Sequence, residues 1–286
     1  MSIFERLTKI DRRIIYFVLG LAILLPLLKP WGIPVNVMDR SRDLFTFIED
    51  STRGRAVMIS FDYDPQVMPE VHPMAYALVH HLFALRRKVI GLCLNVQGTG
   101  MAVDVFNRIA AEYNERARSR EDSIIYGRDY VFLGWKSGYV AVILGMGESI
   151  KGVYPKDYYG NPIDELEVME GIKNYRQIGL CISLSGAAFP DTWVAYAGSR
   201  YGLRVGAGVT AVMGASYYPY LQTRQLVGML AGLKGAAEYE TLLDEHNIPI
   251  KKKTAAPGMD AQNLAHLVMI VFIVIGNIGY FYLRRR

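Results

Sequence analysis

The chain has 286 residues, enough for one large domain or two small ones, with a formal net charge of +5 and a hydrophobic fraction of 51%. A mean hydropathy of +0.15 is unusual for a soluble protein and directs attention to membrane spans. Two such runs take up much of the positive charge as flanking residues. The charge therefore reads as a topology signal rather than a nucleic-acid footprint, and no nucleic-acid partner is expected.

Residues 1–13 carry Arg6, Lys9, Arg12 and Arg13 and read as a cytoplasmic N-terminal segment. The uncharged run Ile14–Leu28 follows, and Trp31, Ile33 and Val35 extend it past a snorkelling Lys29 into a first transmembrane helix over residues 14–35. No small-x-small cleavage site is present, which argues against a removed signal peptide. Pro30, Gly32 and Pro34 make Pro30–Val37 a stiff exit, and Ser41–Glu49 reads as a short helix with Leu44, Phe45 and Ile48 on one side.

An α/β domain is expected over residues 40–247. Its first strand, Ala56–Phe61, is a short apolar run that ends abruptly in Asp62-Tyr63-Asp64-Pro65, as a buried parallel strand does on reaching the edge of its sheet. Met74–Arg86 has a helical period, and Val89–Val96 is the second strand. Gly98-Thr99-Gly100 turns the chain into a helix over Met101–Arg118. Val131–Trp135 and its helix Tyr139–Ile150 come next, then a tyrosine- and proline-bearing loop, Lys151–Pro162, and a short amphipathic helix, Asp164–Ile172. Ile178–Leu184 and Val205–Met213 are strands four and five, with a helix over Pro190–Tyr201 between them. The last helix runs from Pro219 to about Asp244. Five rounds of strand and helix imply a doubly wound, mainly parallel five-stranded sheet with helices on both faces and right-handed crossovers.

Residues 248–263 read as a basic tether and residues 264–283 as a second transmembrane helix, uncharged throughout, with Tyr280 and Tyr282 at belt positions. Arg284–Arg286 close the chain as a cytoplasmic tail. Because the nearest charges favour both termini in the cytoplasm, the α/β domain is expected on the extracytoplasmic side of an integral membrane protein with two spans.

Several constellations suggest chemistry. Asp62, Asp64, Glu70 and His72 cluster beyond the first strand, where α/β proteins place their sites, and Asp62, Asp64 and His72 could hold a divalent metal. The aspartate pair is also the opening of the haloacid-dehalogenase phosphatases. Those continue with Gly and Thr or Val where this chain has Pro65-Gln66, and need a late acidic pair where it has Ser185-Gly186-Ala187, so the chain is not assigned to them. Gly98-Thr99-Gly100 could cradle a phosphate, but the dinucleotide fingerprint needs a third glycine at Val103 and no Walker lysine follows. Ser183, Ser185 and Ser216 lie near strand ends outside any nucleophile-elbow motif, and Cys181 lies within its strand. Cys93 and Cys181 share the local string IGLC and are expected as free buried thiols, with a disulfide open if their strands are adjacent.

Two patterns suggest contacts. Gly228, Ala231, Gly232, Gly235 and Ala236 are spaced as one face of the last helix, which small residues would open to self-association or to close packing on the sheet. Tyr154, Tyr158, Tyr159, Tyr217, Tyr218 and Tyr220 could line a binding rim. No complete catalytic set appears. The expectation is a membrane-anchored binding or scaffold module contacting the lipid bilayer, a homo-oligomer, with a protein partner possible. The alternative is a metal-assisted hydrolase acting through Asp62, Asp64 and His72 at the membrane face, its cofactor a divalent metal.

Overall fold

The computed structural model describes residues 11–248, 250, 251 and 253–284, which form two compact units. The larger spans residues 35–252, and the smaller joins the chain up to Pro34 with the chain from Lys253 onward. Arg6, Lys9, Arg285 and Arg286 lie outside the described residues.

The larger unit is built on six strands: β1 (Ala56–Asp62), β2 (Val89–Cys93), β3 (Tyr130–Trp135), β4 (Ile178–Ser185), β5 (Val205–Val209) and β6 (Leu226–Ala231). β1 and β4 are buried along their whole length, so their near-continuous apolar runs mark central parallel strands covered on both faces. The order is β3-β2-β1-β4-β5-β6, with every neighbouring pair parallel. This is a Rossmann-like arrangement in which the direction of winding reverses between β1 and β4.

Helices α2 (Asp39–Ser51), α3 (Met68–Ala84), α4 (Gly98–Asn114) and α8 (Gly232–Glu245) cover one face. Helices α5 (Tyr139–Glu148), α6 (Phe189–Trp193) and α7 (Ala211–Gln222) cover the other, where Met58, Leu92, Val142, Met146, Cys181, Trp193, Val205 and Tyr217 form one core. After α6 the chain passes through a π turn, Val194–Gly198. The outer side of β3 is covered by the loop after α5, since Tyr158 donates its N–H to the Phe132 carbonyl at 2.9 Å, which caps an otherwise exposed sheet edge.

Four expectations are corrected. The segment expected as one helix from Pro219 onward contains the end of α7, the sixth strand and α8. Gly228 and Ala231 therefore belong to β6 and only Gly232, Gly235 and Ala236 fall in the first turns of α8, so the five small residues do not form one helix stripe. Their smallness serves internal packing. A Cβ on Gly228 would stand 2.4 Å from the Leu44 nitrogen where α2 lies on β6, and Gly232, with φ +62°, abuts Ala211. Second, Asp164–Ile172 forms three-residue 3-10 turns rather than an amphipathic helix. Third, β1 separates the strands of Cys93 and Cys181, which puts them at least two strand spacings, or ~10 Å, apart, too far for a disulfide; both are free and buried.

The fourth correction concerns the first hydrophobic run. In the smaller unit α1 (Arg12–Leu28) stops at Leu28, so its 17 residues extend ~26 Å, short of the ~30 Å hydrocarbon core. Among the described residues one helix is long and apolar enough to cross a membrane: Ala255–Tyr282, within α9 (Ala255–Arg284). Part of the expected tether is thus already helical. Ala22 of α1 and Ala255, Ala261 and Ala265 of α9 are buried, and such small side chains allow the two helices to approach closely. Asp260 is 2% exposed, and its carboxylate accepts the backbone N–H groups of Trp31, Gly32 and Ile33 at 2.8, 3.0 and 3.2 Å.

Candidate functional site

The reversal between β1 and β4 is where an open parallel sheet places its ligands, so the residues at the carboxyl ends of these strands define the candidate site. Side chains alternate along a strand, which puts Ser60 and Asp62 on one face. The register pairs Ser60 with Ser183 and Asp62 with Ser185, so four polar residues meet on the α5–α6 side. All four are at most 1% exposed.

Asp62 is the centre of this group. Ser60 donates its hydroxyl to Oδ2 at 2.6 Å, and the Leu94 N–H donates to Oδ1 at 2.6 Å. Burial pushes the Asp62 carboxyl up to about 6, against the opposing pull of the Ser60 hydroxyl, the Leu94 N–H, the Trp193 indole and the Asn95 N–H. Around it stand three buried polar atoms without a hydrogen-bond partner: Ser183 Oγ, Tyr154 Oη and Trp193 Nε1. The indole lies near enough to favour the ionised carboxylate yet makes no hydrogen bond of ordinary geometry. Ser185 is engaged, donating to the Asp62 carbonyl at 3.2 Å and accepting the Ala187 N–H at 2.9 Å.

This arrangement can store or exchange a proton at Asp62, but it does not activate the neighbouring thiols or phenol as nucleophiles. Burial raises the thiols of Cys93 and Cys181 and the phenol of Tyr154, the opposite of what nucleophilic attack requires.

The expected metal ligands take separate partners. Asp62 turns into the sheet–helix interface. Asp64 Oδ1 accepts the N–H groups of Gln66 and Val67 at 2.9 and 3.3 Å, closing the turn into α3. His72 Nδ1 meets the Tyr63 hydroxyl at 2.9 Å, and its Nε2 lies 3.4 Å from Asp104, which Arg108 also holds. Burial pushes the His72 pKa down, partly opposed by Asp104. Glu70 accepts the Ala211 N–H at 2.8 Å at the start of α7. Among the described residues no three His, Cys, Asp or Glu side chains are grouped to hold a metal.

The glycine turn is likewise structural. α4 starts at Gly98, where a Cβ would stand 1.8 Å from the Phe61 carbonyl oxygen. The tyrosines do not share a rim. Tyr154 is buried, and Tyr158 and Tyr159 are exposed beside β3. Tyr217, Tyr218 and Tyr220 belong to α7 at the other end of the sheet, where Tyr217 donates to Asp191 Oδ2 at 2.7 Å.

Two sets of residues were not expected. Ser60 could have been read from its i, i+2 relation to Asp62; Trp193, 131 residues further along the chain, left no such signal. The second set is apolar and exposed at the carboxyl edge: Val96 after β2, Trp135 at the end of β3, Tyr139 at the start of α5 and Val212 after β5 are 55, 44, 46 and 87% exposed. Val96 lies in a short loop, whereas Trp135 ends β3, Tyr139 opens α5 and Val212 lies in the first turn of α7, so rigid elements hold them.

No protein-family model, curated protein or solved structure matches this chain.

Proposed function

We propose that the chain is a membrane-anchored α/β binding module whose carboxyl-terminal sheet edge contacts a protein partner. The observation that carries this reading is the exposure of Val96, Trp135, Tyr139 and Val212 on that edge. Large apolar and aromatic side chains held out at the ends of rigid elements are the composition of a contact surface. The buried Asp62 group beneath them gives the edge a polar, titratable floor.

Anchoring rests on α9, and we extend it to α1. The outward positions Phe17, Leu24 and Leu28 are 68, 51 and 73% exposed, which suits hydrocarbon rather than water, and the close packing of α1 on α9 would compensate for its short length. With two spans, Arg12 and Arg13 at the start of α1 and the arginines at the end of the chain favour cytoplasmic ends and an extracytoplasmic α/β domain. The self-association expectation rested on the small-residue stripe and is not carried further. Metal-assisted hydrolysis would require Asp64 and His72 to leave their present partners and turn toward Asp62.

The test of anchoring is alkaline carbonate extraction of membranes holding the full chain. Retention in the pellet is expected, and release of the intact chain into the supernatant would refute it.

A further inference from the structure

All six strands are parallel, so the residues that precede each strand lie on one edge of the sheet. Each of the six lead-ins carries a basic residue within two positions of its strand. Arg53 and Arg55 lead into β1, Arg86 to Lys88 into β2, Arg128 into β3, Arg176 into β4, Arg204 into β5 and Arg224 into β6. The one carboxylate among them, Asp129, is paired with Arg128 at 2.7 Å.

Most of this charge is not neutralised by carboxylates. Arg55 donates to the Arg176 carbonyl at 2.7 Å, Lys88 to the Glu167 carbonyl at 2.9 Å, and Arg86 to the carbonyls of Ser123 and Asp122. Between the starts of β5 and β6 lies a cleft of about 630 Å³ lined by Arg40, Arg204 and Arg224, with Gln222 and one carboxylate, Asp43. Arg40 reaches Tyr218 through Nη1, but its Nε is buried without a partner. The Arg204 and Arg224 side chains make no hydrogen bond or ion pair among the described residues.

The same edge carries both ends of the larger unit. The chain enters through α2, whose Arg42 lies 3.9 Å from Glu245 at the end of α8. It leaves past Lys251, which is bonded to Glu115 at the end of α4 at 2.6 Å. The segments that lead to α1 and α9 therefore start from the basic edge.

We propose that this edge is a lipid-facing surface, and that the Arg40–Arg204–Arg224 cleft takes the phosphate of an anionic phospholipid headgroup. The proposal rests on the membrane-anchored reading. Guanidinium groups are suited to phosphate because their N–H donors pair with its oxygens in a fork. Each arginine held at an anionic surface contributes about fivefold in affinity for it, and salt screens the effect.

The test is hydrogen exchange of the full chain in nanodiscs made of phosphatidylcholine alone or with added phosphatidylglycerol. The segments at residues 202–204 and 223–225 are expected to exchange about tenfold more slowly in the anionic discs, with the difference erased by high salt. Arg224→Gln, which removes an exposed side chain, should reduce the difference, and the triple variant R40Q/R204Q/R224Q should abolish it while melting like the parent in neutral discs. Equal exchange in the two kinds of disc would overturn the proposal. So would equal protection by inorganic phosphate in neutral discs, which would mark a free-anion site. Failure of the chain to stay in discs would instead overturn the anchored reading. In that case co-sedimentation with phosphatidylglycerol vesicles, expected for the parent and lost in the triple variant, tests the edge alone.

Discussion

Leu94 donates its backbone N–H to Asp62 Oδ1 at 2.6 Å, so the end of β2 holds the last carboxylate of β1 inside the domain. Together with the Ser60 hydroxyl this fixes an ionisable group where burial raises its pKa from 3.8 to about 6. A raised carboxyl pKa means that the folded state binds its proton more tightly than the unfolded chain does. Stability from this group is therefore full below about pH 4, falls as pH rises through the window from about 4 to 6, and stays lost above it. Asp62→Asn keeps an acceptor for Leu94 and offers a donor to Ser60 without the charge. We predict that it melts like the parent near pH 4 and is more stable by roughly 2–3 kcal/mol at pH 8. Thermal unfolding of both proteins across pH checks this; a variant less stable than the parent at pH 8 would show that the carboxylate itself is needed.

His80 and His81 act in the opposite sense. Burial, reinforced by Arg116 at His80 and by His246 and Arg87 at His81, holds them at about 4 and about 3. His81 meets the Tyr239 hydroxyl at 2.7 Å and lies 3.3 Å from Glu49. A depressed histidine pKa gives stability that is full above the unfolded value of about 6.5 and is lost as pH falls toward the folded value. Acid unfolding of the α/β domain should therefore begin below pH 6.5, and His80→Gln should make it shallower in pH titrations followed by circular dichroism.

Two glycines should respond in opposite directions. Gly228→Ala would drive a Cβ to 2.4 Å from the Leu44 nitrogen, and the displacement of α2 from β6 should cost about 1–3 kcal/mol. Gly100 lies in the first turn of α4 with open space around its would-be Cβ, so Gly100→Ala should stabilise by up to about 1 kcal/mol. Melting temperatures of the two variants check the pair.

In the smaller unit, Asp260→Ala removes the acceptor of three backbone N–H groups at Trp31, Gly32 and Ile33. Carboxylate-to-amide hydrogen bonds are among the stronger kind, so a loss of about 1–2 kcal/mol is expected. A lower melting temperature of the variant than of the parent in detergent would report it.

Strand-by-strand, the buried centre of the sheet was legible because β1, β4 and β5 read as short apolar runs bounded by turn residues. The sixth strand was not. LVGMLA places Gly228 and Ala231 three apart, and Gly232, Gly235 and Ala236 continue a spacing that suits a helix face as well as a strand followed by a helix. Periodicity does not separate a short apolar strand from a helix, and only the close approach of Leu44 to Gly228 explains why glycine is required there. At the site, Asp62 was legible as a polar residue closing a strand. Its direction was what mattered: pointing toward Ser60 rather than Asp64 and His72, it joins Trp193 and Tyr154, which distant parts of the chain supply.

The claim that the carboxyl edge is a partner-binding surface is tested most directly by a photo-crosslinking amino acid placed at Trp135, at Val212 and, as a control, at exposed Asn107 on α4, with the full chain in its native membranes. The account predicts an adduct to the same protein from Trp135 and Val212 and none from Asn107. No adduct from either edge position, or equal capture from Asn107, would contradict it.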